Sequence, residues 1–82
     1  MIRELDSVVL THDIPEHGLK RGDMGAVVHV YGDNLAYEVE FVTADGYTAA
    51  LLTLMPSDVR LMNGDEILHA RRMAKPEQVG SI

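Results

Sequence analysis

The stretch LAYEVEFV, residues 35–42, constrains this chain more than any other. Tyr37, Val39 and Phe41 alternate with Glu38 and Glu40, a period of two that a β-strand sorts into one apolar and one polar face. A helix would scatter the same five residues around its circumference. Turn-formers bracket the stretch: Gly32-Asp33-Asn34 precedes it and Asp45-Gly46 follows it. Asp-Gly between two β-prone runs is a hairpin signal. The first strand of that hairpin is therefore expected to bury Tyr37, Val39 and Phe41 and to turn Glu38 and Glu40 outward.

The rest of the chain repeats this rhythm. Leu5–Thr11, Gly25–Tyr31, Tyr47–Leu54 and Val59–Met62 are short runs rich in β-formers. HDIPEHGLKRGDMG, residues 12–25, reads as a long loop, with Ile14 and Leu19 tucked against the body. Pro56 breaks the chain after the fourth strand, and Ser57 or Asp58 is placed to cap a single 3₁₀ turn. No amphipathic helix separates the strands, so βαβ units are excluded. The expectation is an all-β fold over residues 1–63: a small five-stranded SH3-like barrel with a long first loop, since closure removes exposed edges. Residues 64–82 are expected to form a C-terminal tail. Asn63 or Asp65 would cap a short helix running to Met73, with disorder after Ala74.

Composition narrows the function classes. Without cysteine, disulfides and Cys-based zinc sites are excluded. The N-terminal MIRELDSVVL carries acids where a secretory signal needs basic residues, so a cytoplasmic location is expected. Thirteen acidic residues against seven basic ones give a net charge of −6, which repels nucleic-acid phosphates and favours a basic partner.

The glycines at 18, 22 and 25 suggest a phosphate loop at first sight. However, a Walker loop needs a Lys-Ser/Thr pair leading into a helix, and here a valine-rich strand follows. The structural reading assigns Gly22 to a turn in which Asp23 bonds a nearby backbone N–H, Gly25 to a close strand crossing, and Asp45-Gly46 to the hairpin. His12 and His17, with Asp13 and Glu16 nearby, match no metal-ligand spacing, and neither metal nor cofactor is expected. Glu38 and Glu40 lie about 6.5–7 Å apart by strand rise, a separation that glycosidase carboxylates also use. An exposed face offers no cleft to tune them, and neither Ser7 nor Ser57 has a glycine elbow. The chain is not expected to be an enzyme.

The fourth strand carries the best argument for a partner. Ala49-Ala50-Leu51-Leu52-Thr53-Leu54-Met55 is apolar on both faces, and one face needs cover from the chain itself, from another protein or from a second copy. A protein-interaction surface of Glu38, Glu40, Asp45, Leu51 and Leu52 follows, with a basic partner. The alternatives are an RNA-binding barrel using Lys20, Arg21 and Tyr31, and a purely structural subunit.

Leu5-Asp6-Ser7-Val8-Val9-Leu10, the run from Gly18 to Gly25, Tyr37-Glu38-Val39-Glu40-Phe41, Asp45-Gly46 and the stretch from Leu52 to Val59 together resemble a family of small bacterial proteins, domain of unknown function 4926. The resemblance covers about residues 5–61. It implies an SH3-fold module, in contexts suggestive of toxin–antitoxin or immunity pairs, and supplies no catalytic residues. Gly22–Val28 also looks like the loop-and-strand opening of small RNA-binding translation and transcription barrels and of the nitrile hydratase accessory chain, an analogy of fold alone.

Overall fold

The computed structural model describes residues 1–73. Five strands form one antiparallel sheet: β1 (Ser7–Leu10), β2 (Met24–Tyr31), β3 (Ala36–Val42), β4 (Thr48–Leu54) and β5 (Val59–Leu61). All five lie where the β-prone runs place them, with ends differing by up to two residues. The order across the sheet is β4-β3-β2-β1-β5. Single 3₁₀ turns occupy Pro15–His17 in the first loop and Pro56–Asp58 before β5.

The expected SH3-like barrel does not form. β4 and β5 are the two ends of the sheet and do not pair, so the sheet stays open. At three residues, β5 offers few ladder positions for closure. Two irregularities interrupt the sheet's ladders, one between Val27 and His29 and one between Phe41 and Val42. The expected tail helix is absent too. Residues 63–66 make one turn, closed by the Glu66 N–H donating to the Asn63 carbonyl at 3.1 Å. It does not propagate: Ile67 and Leu68 are 93% and 69% exposed, so no apolar stripe is buried to offset the cost of helix nucleation. The disorder expected after Ala74 lies outside the described residues.

The core lies on one face. Val8, Leu10, Val27, Tyr37, Val39, Phe41, Ala50, Leu54 and Val59 are buried together, with Ile14 and Leu19 of the first loop folded onto them. Those two loop residues bridge each other, and each backbone N–H donates to the other's carbonyl, which anchors the loop as expected. Among the described residues no helix is long and apolar enough to cross a membrane.

Candidate functional site

The face opposite the core, across β2, β3 and β4, has an unusual charge pattern. These three strands contain no Lys or Arg, and Glu38 and Glu40 are their only acids. Both glutamates are half-buried among neutral donors. Glu38 stands opposite His29 and Thr53, and its Oε1 accepts from the Thr53 hydroxyl at 2.6 Å and from the Tyr31 hydroxyl at 3.2 Å. Desolvation, reinforced by the Glu38 carboxylate, raises the Tyr31 pKa above its ordinary 10.0 and keeps the phenol a donor. Tyr31 meets the His29 ring edge-on at 4.6 Å, and His29 Nδ1 lies 3.5 Å from the Glu4 carboxylate. Glu40 stands opposite Leu51 and accepts from the Thr48 hydroxyl at 2.8 Å.

The alternation of β4 corrects the expectation that both of its faces are apolar, and a bulge marks its start. Phe41 pairs with Ala50 but Val42 pairs with Thr48, so Ala49 is the extra residue. Ala50, Leu52 and Leu54 point to the core, and Leu52 packs against it opposite Val39. Within β4, Leu51 is the one exposed aliphatic side chain, 54% accessible, between Thr48 and Thr53, while Val42 of β3 and Val28 of β2 are also exposed. Of the five residues expected to share the surface, the structure brings together Glu38, Glu40 and Leu51. Asp45 sits in the hairpin turn, where its Oδ1 accepts from the Thr43 hydroxyl and from the Tyr47 N–H.

Lys20, Arg21 and Tyr31 are not brought together. The two cations precede the start of β2 and Tyr31 ends it, a separation of roughly 23 Å at strand rise. The backbone around the cations is tied down: the Lys20 N–H donates to Asp23 and the Arg21 N–H to Asp13, both at 2.8 Å. Gly22 adopts φ 93°, the left-handed conformation this turn requires. A side chain at Gly25 would collide with Val39, Phe41 and the Glu40 carbonyl, so β3 lies tightly against Gly25. His12 is held by Asp58 and the Asp13 carbonyl, while His17 ends the 3₁₀ turn of the first loop. Among the described residues no three His, Cys, Asp or Glu side chains are placed to hold a metal ion.

A second pattern was legible in the sequence only at Asp23, read as bonding a nearby backbone N–H, and at Asp58, read as a cap. Asp6, Asp23, Asp58 and Glu66 each accept the N–H of the residue three positions earlier, at 2.6–2.8 Å. Three of these turn acids then grip a cationic or titratable group from another segment: Asp23 holds Arg71, Asp58 holds His12 and Glu66 holds Arg60. The signal was an acid three residues into each turn.

The profile of the domain of unknown function DUF4926 matches residues 4–61. The chain belongs to the DUF4926 family. No curated protein and no solved structure matches it. The DUF4926 match spans all five strands and the first loop and stops at the end of β5. Glu38, Glu40, Leu51 and Asp23 thus lie inside the family domain, and Arg71 lies beyond it.

Proposed function

We propose that this DUF4926 domain is a non-catalytic protein-binding module whose outer β2–β3–β4 face receives a basic partner. One observation carries the reading: this face sets Glu38 and Glu40 beside the exposed Leu51, with no Lys or Arg in its three strands. Carboxylates held by Thr53, Tyr31 and Thr48 are pre-organised acceptors, so less side-chain freedom is lost on binding. They steer a cationic surface and set its register, while Leu51 supplies a small apolar anchor. Such a module acts by occlusion, as an antitoxin, immunity or accessory member of a pair would. Nothing places Lys20 and Arg21 beside an exposed aromatic, so RNA binding finds no such support.

The test is capture of a binding partner from native cell extract after nuclease treatment, with wild-type protein and the Glu38→Lys/Glu40→Lys variant as baits. A basic protein retained by wild type and lost by the variant is expected. Equal capture by both baits, or capture abolished by nuclease, would reject the reading.

A further inference from the structure

The segment from His69 to Met73 returns to the body, and His69, Ala70, Arg71 and Met73 form one wall of an open groove of about 290 Å³ whose other side includes Leu19, Asp23 and Phe41. Two side chains hold it there. Arg71 forks onto Asp23, with Nε to Oδ1 at 2.9 Å and Nη2 to Oδ2 at 2.5 Å, and Nη2 also donates to the Gly18 carbonyl at 3.0 Å. Met73, two residues on, packs against the core, with its Cε 3.4 Å from where a Cβ at Gly18 would stand. An arginine and an apolar side chain two residues apart thus both reach the body from this one segment.

Part of the receptor is fixed by its own loop. The Lys20 N–H donates to one Asp23 carboxylate oxygen at 2.8 Å, and with Arg71 in place the Asp23 side chain is 20% exposed. Gly18 leaves room for Met73 and presents its carbonyl to the guanidinium. The occupant, by contrast, is loosely attached. Among the described residues, no backbone–backbone hydrogen bond ties residues 67–73 to the sheet. A segment held by two side chains can be replaced by another that offers the same two.

We propose that this groove recognises an extended segment of a partner protein carrying an arginine followed two residues later by an unbranched apolar side chain, and that residues 69–73 are its built-in competitor. Charge selects a basic partner segment over a second copy of this chain, because two copies at −6 repel while a basic segment is drawn in. A planar fork of donors matches the Asp23 carboxylate and the Gly18 carbonyl together, which a lysine cannot do. The site is separate from the Glu38–Glu40 face, so either can fail without the other.

The test uses the full chain and a labelled, capped pentapeptide copying residues 69–73 (HARRM), followed by fluorescence anisotropy and by the amide resonances of Gly18, Leu19 and Asp23. In wild type the tethered segment competes at an effective concentration on the order of millimolar. Arg71→Ala should therefore bind the peptide at least tenfold more tightly than wild type, with shifts confined to those amides. Adding Asp23→Asn, which keeps an oxygen for the Lys20 N–H, should abolish binding while the spectrum stays dispersed. A peptide with lysine at its third position should bind several-fold more weakly. The proposal is overturned if Arg71→Ala gives no saturable binding, if Asp23→Asn leaves binding unchanged, or if wild type is a dimer that Asp23→Asn splits, since the occupant is then a second copy.

Discussion

His12 Nε2 lies 2.7 Å from Asp58 Oδ1, joining the first loop to the 3₁₀ turn before β5 across 46 positions of chain. The other ring nitrogen faces the Asp13 carbonyl at 2.8 Å. Both neighbours are acceptors, so the arrangement suits an imidazolium that donates from each nitrogen. The bond to Asp58, helped by the Asp13 carbonyl, raises the His12 pKa above its ordinary 6.5. The same bond, aided by the Met55 N–H and opposed by desolvation, lowers Asp58 below 3.8. A raised histidine pKa contributes stability that is complete below 6.5 and lost as pH rises through the folded value. A depressed carboxyl pKa contributes stability present above 3.8 and lost as pH falls through its folded value. The melting-temperature difference between wild type and His12→Ala should therefore be widest in the mildly acidic range between these limits and shrink on both sides. A difference independent of pH would show that the pair does not act as an ion pair.

Gly25 is the most crowded of the glycines among the described residues. A Cβ there would sit 2.6 Å from Val39 Cγ1, 2.9 Å from Phe41 Cε2 and 3.0 Å from the Glu40 carbonyl oxygen. Gly25→Ala is expected to cost about 1–3 kcal/mol by overpacking, and Gly25→Val more, as read from denaturant midpoints. Because the nearest atom is a valine methyl, Val39→Ala should recover part of the loss in the double variant. An unaltered midpoint in Gly25→Ala would show that β2 and β3 are not in close contact there.

How legible was this in the sequence? The strands were, because Tyr37-Val39-Phe41 and the Asp-Gly turn are local signals of period and φ preference. Closure was not, since whether β4 meets β5 depends on bulges that no residue type announces. The outer surface was misread because the run on β4 looks apolar on both faces. Plain alternation turns Ala50, Leu52 and Leu54 inward and puts Thr53 beside Leu51 outside, and the bulge displaces Ala49 alone. Glu38 and Glu40 were legible as an outward pair, while their threonine partners on β4 depended on the β3–β4 register. The Asp23–Arg71 contact joins residues 48 apart, beyond the reach of pattern reading.

Leu5 adopts φ 74° while its side chain is 86% exposed. A left-handed backbone costs an L-residue about 1–2 kcal/mol, and no burial of this side chain offsets it. The conformation persists because the Leu5 N–H donates to the Val27 carbonyl at 2.7 Å, fastening the chain ahead of β1 to β2. Glycine relieves the strain at an entropic cost of about 0.5–1 kcal/mol. Leu5→Gly should therefore stabilise the protein by roughly 1 kcal/mol or less, whereas Leu5→Val should destabilise it. Chemical denaturation of both variants decides this, and a loss of stability in Leu5→Gly would mean that Leu5 makes contacts that outweigh its strain.

Arg60 and Glu66 form a two-bonded pair, Nη1 to Oε1 at 2.9 Å and Nη2 to Oε2 at 2.7 Å, and the Asn63 N–H also donates to Oε1 at 2.6 Å. The Arg60 bonds, then the Asn63 N–H, pull the Glu66 pKa from 4.5 to about 2. A depressed carboxyl pKa contributes stability that is full above 4.5 and lost as pH falls toward about 2. Glu66→Gln keeps an oxygen for the Asn63 N–H and removes only the charge, so its stability deficit should be present at neutral pH and vanish at the acid end. The turn at Asn63–Glu66 also sets the direction in which the chain leaves β5 toward Asp23. Weakening it should loosen residues 69–73, seen as faster amide exchange there than in wild type at neutral pH, with β1–β4 unaffected. If exchange is unchanged while the acid-dependent deficit appears, the pair stabilises the sheet end alone and the position of the tail is set by Arg71 and Met73.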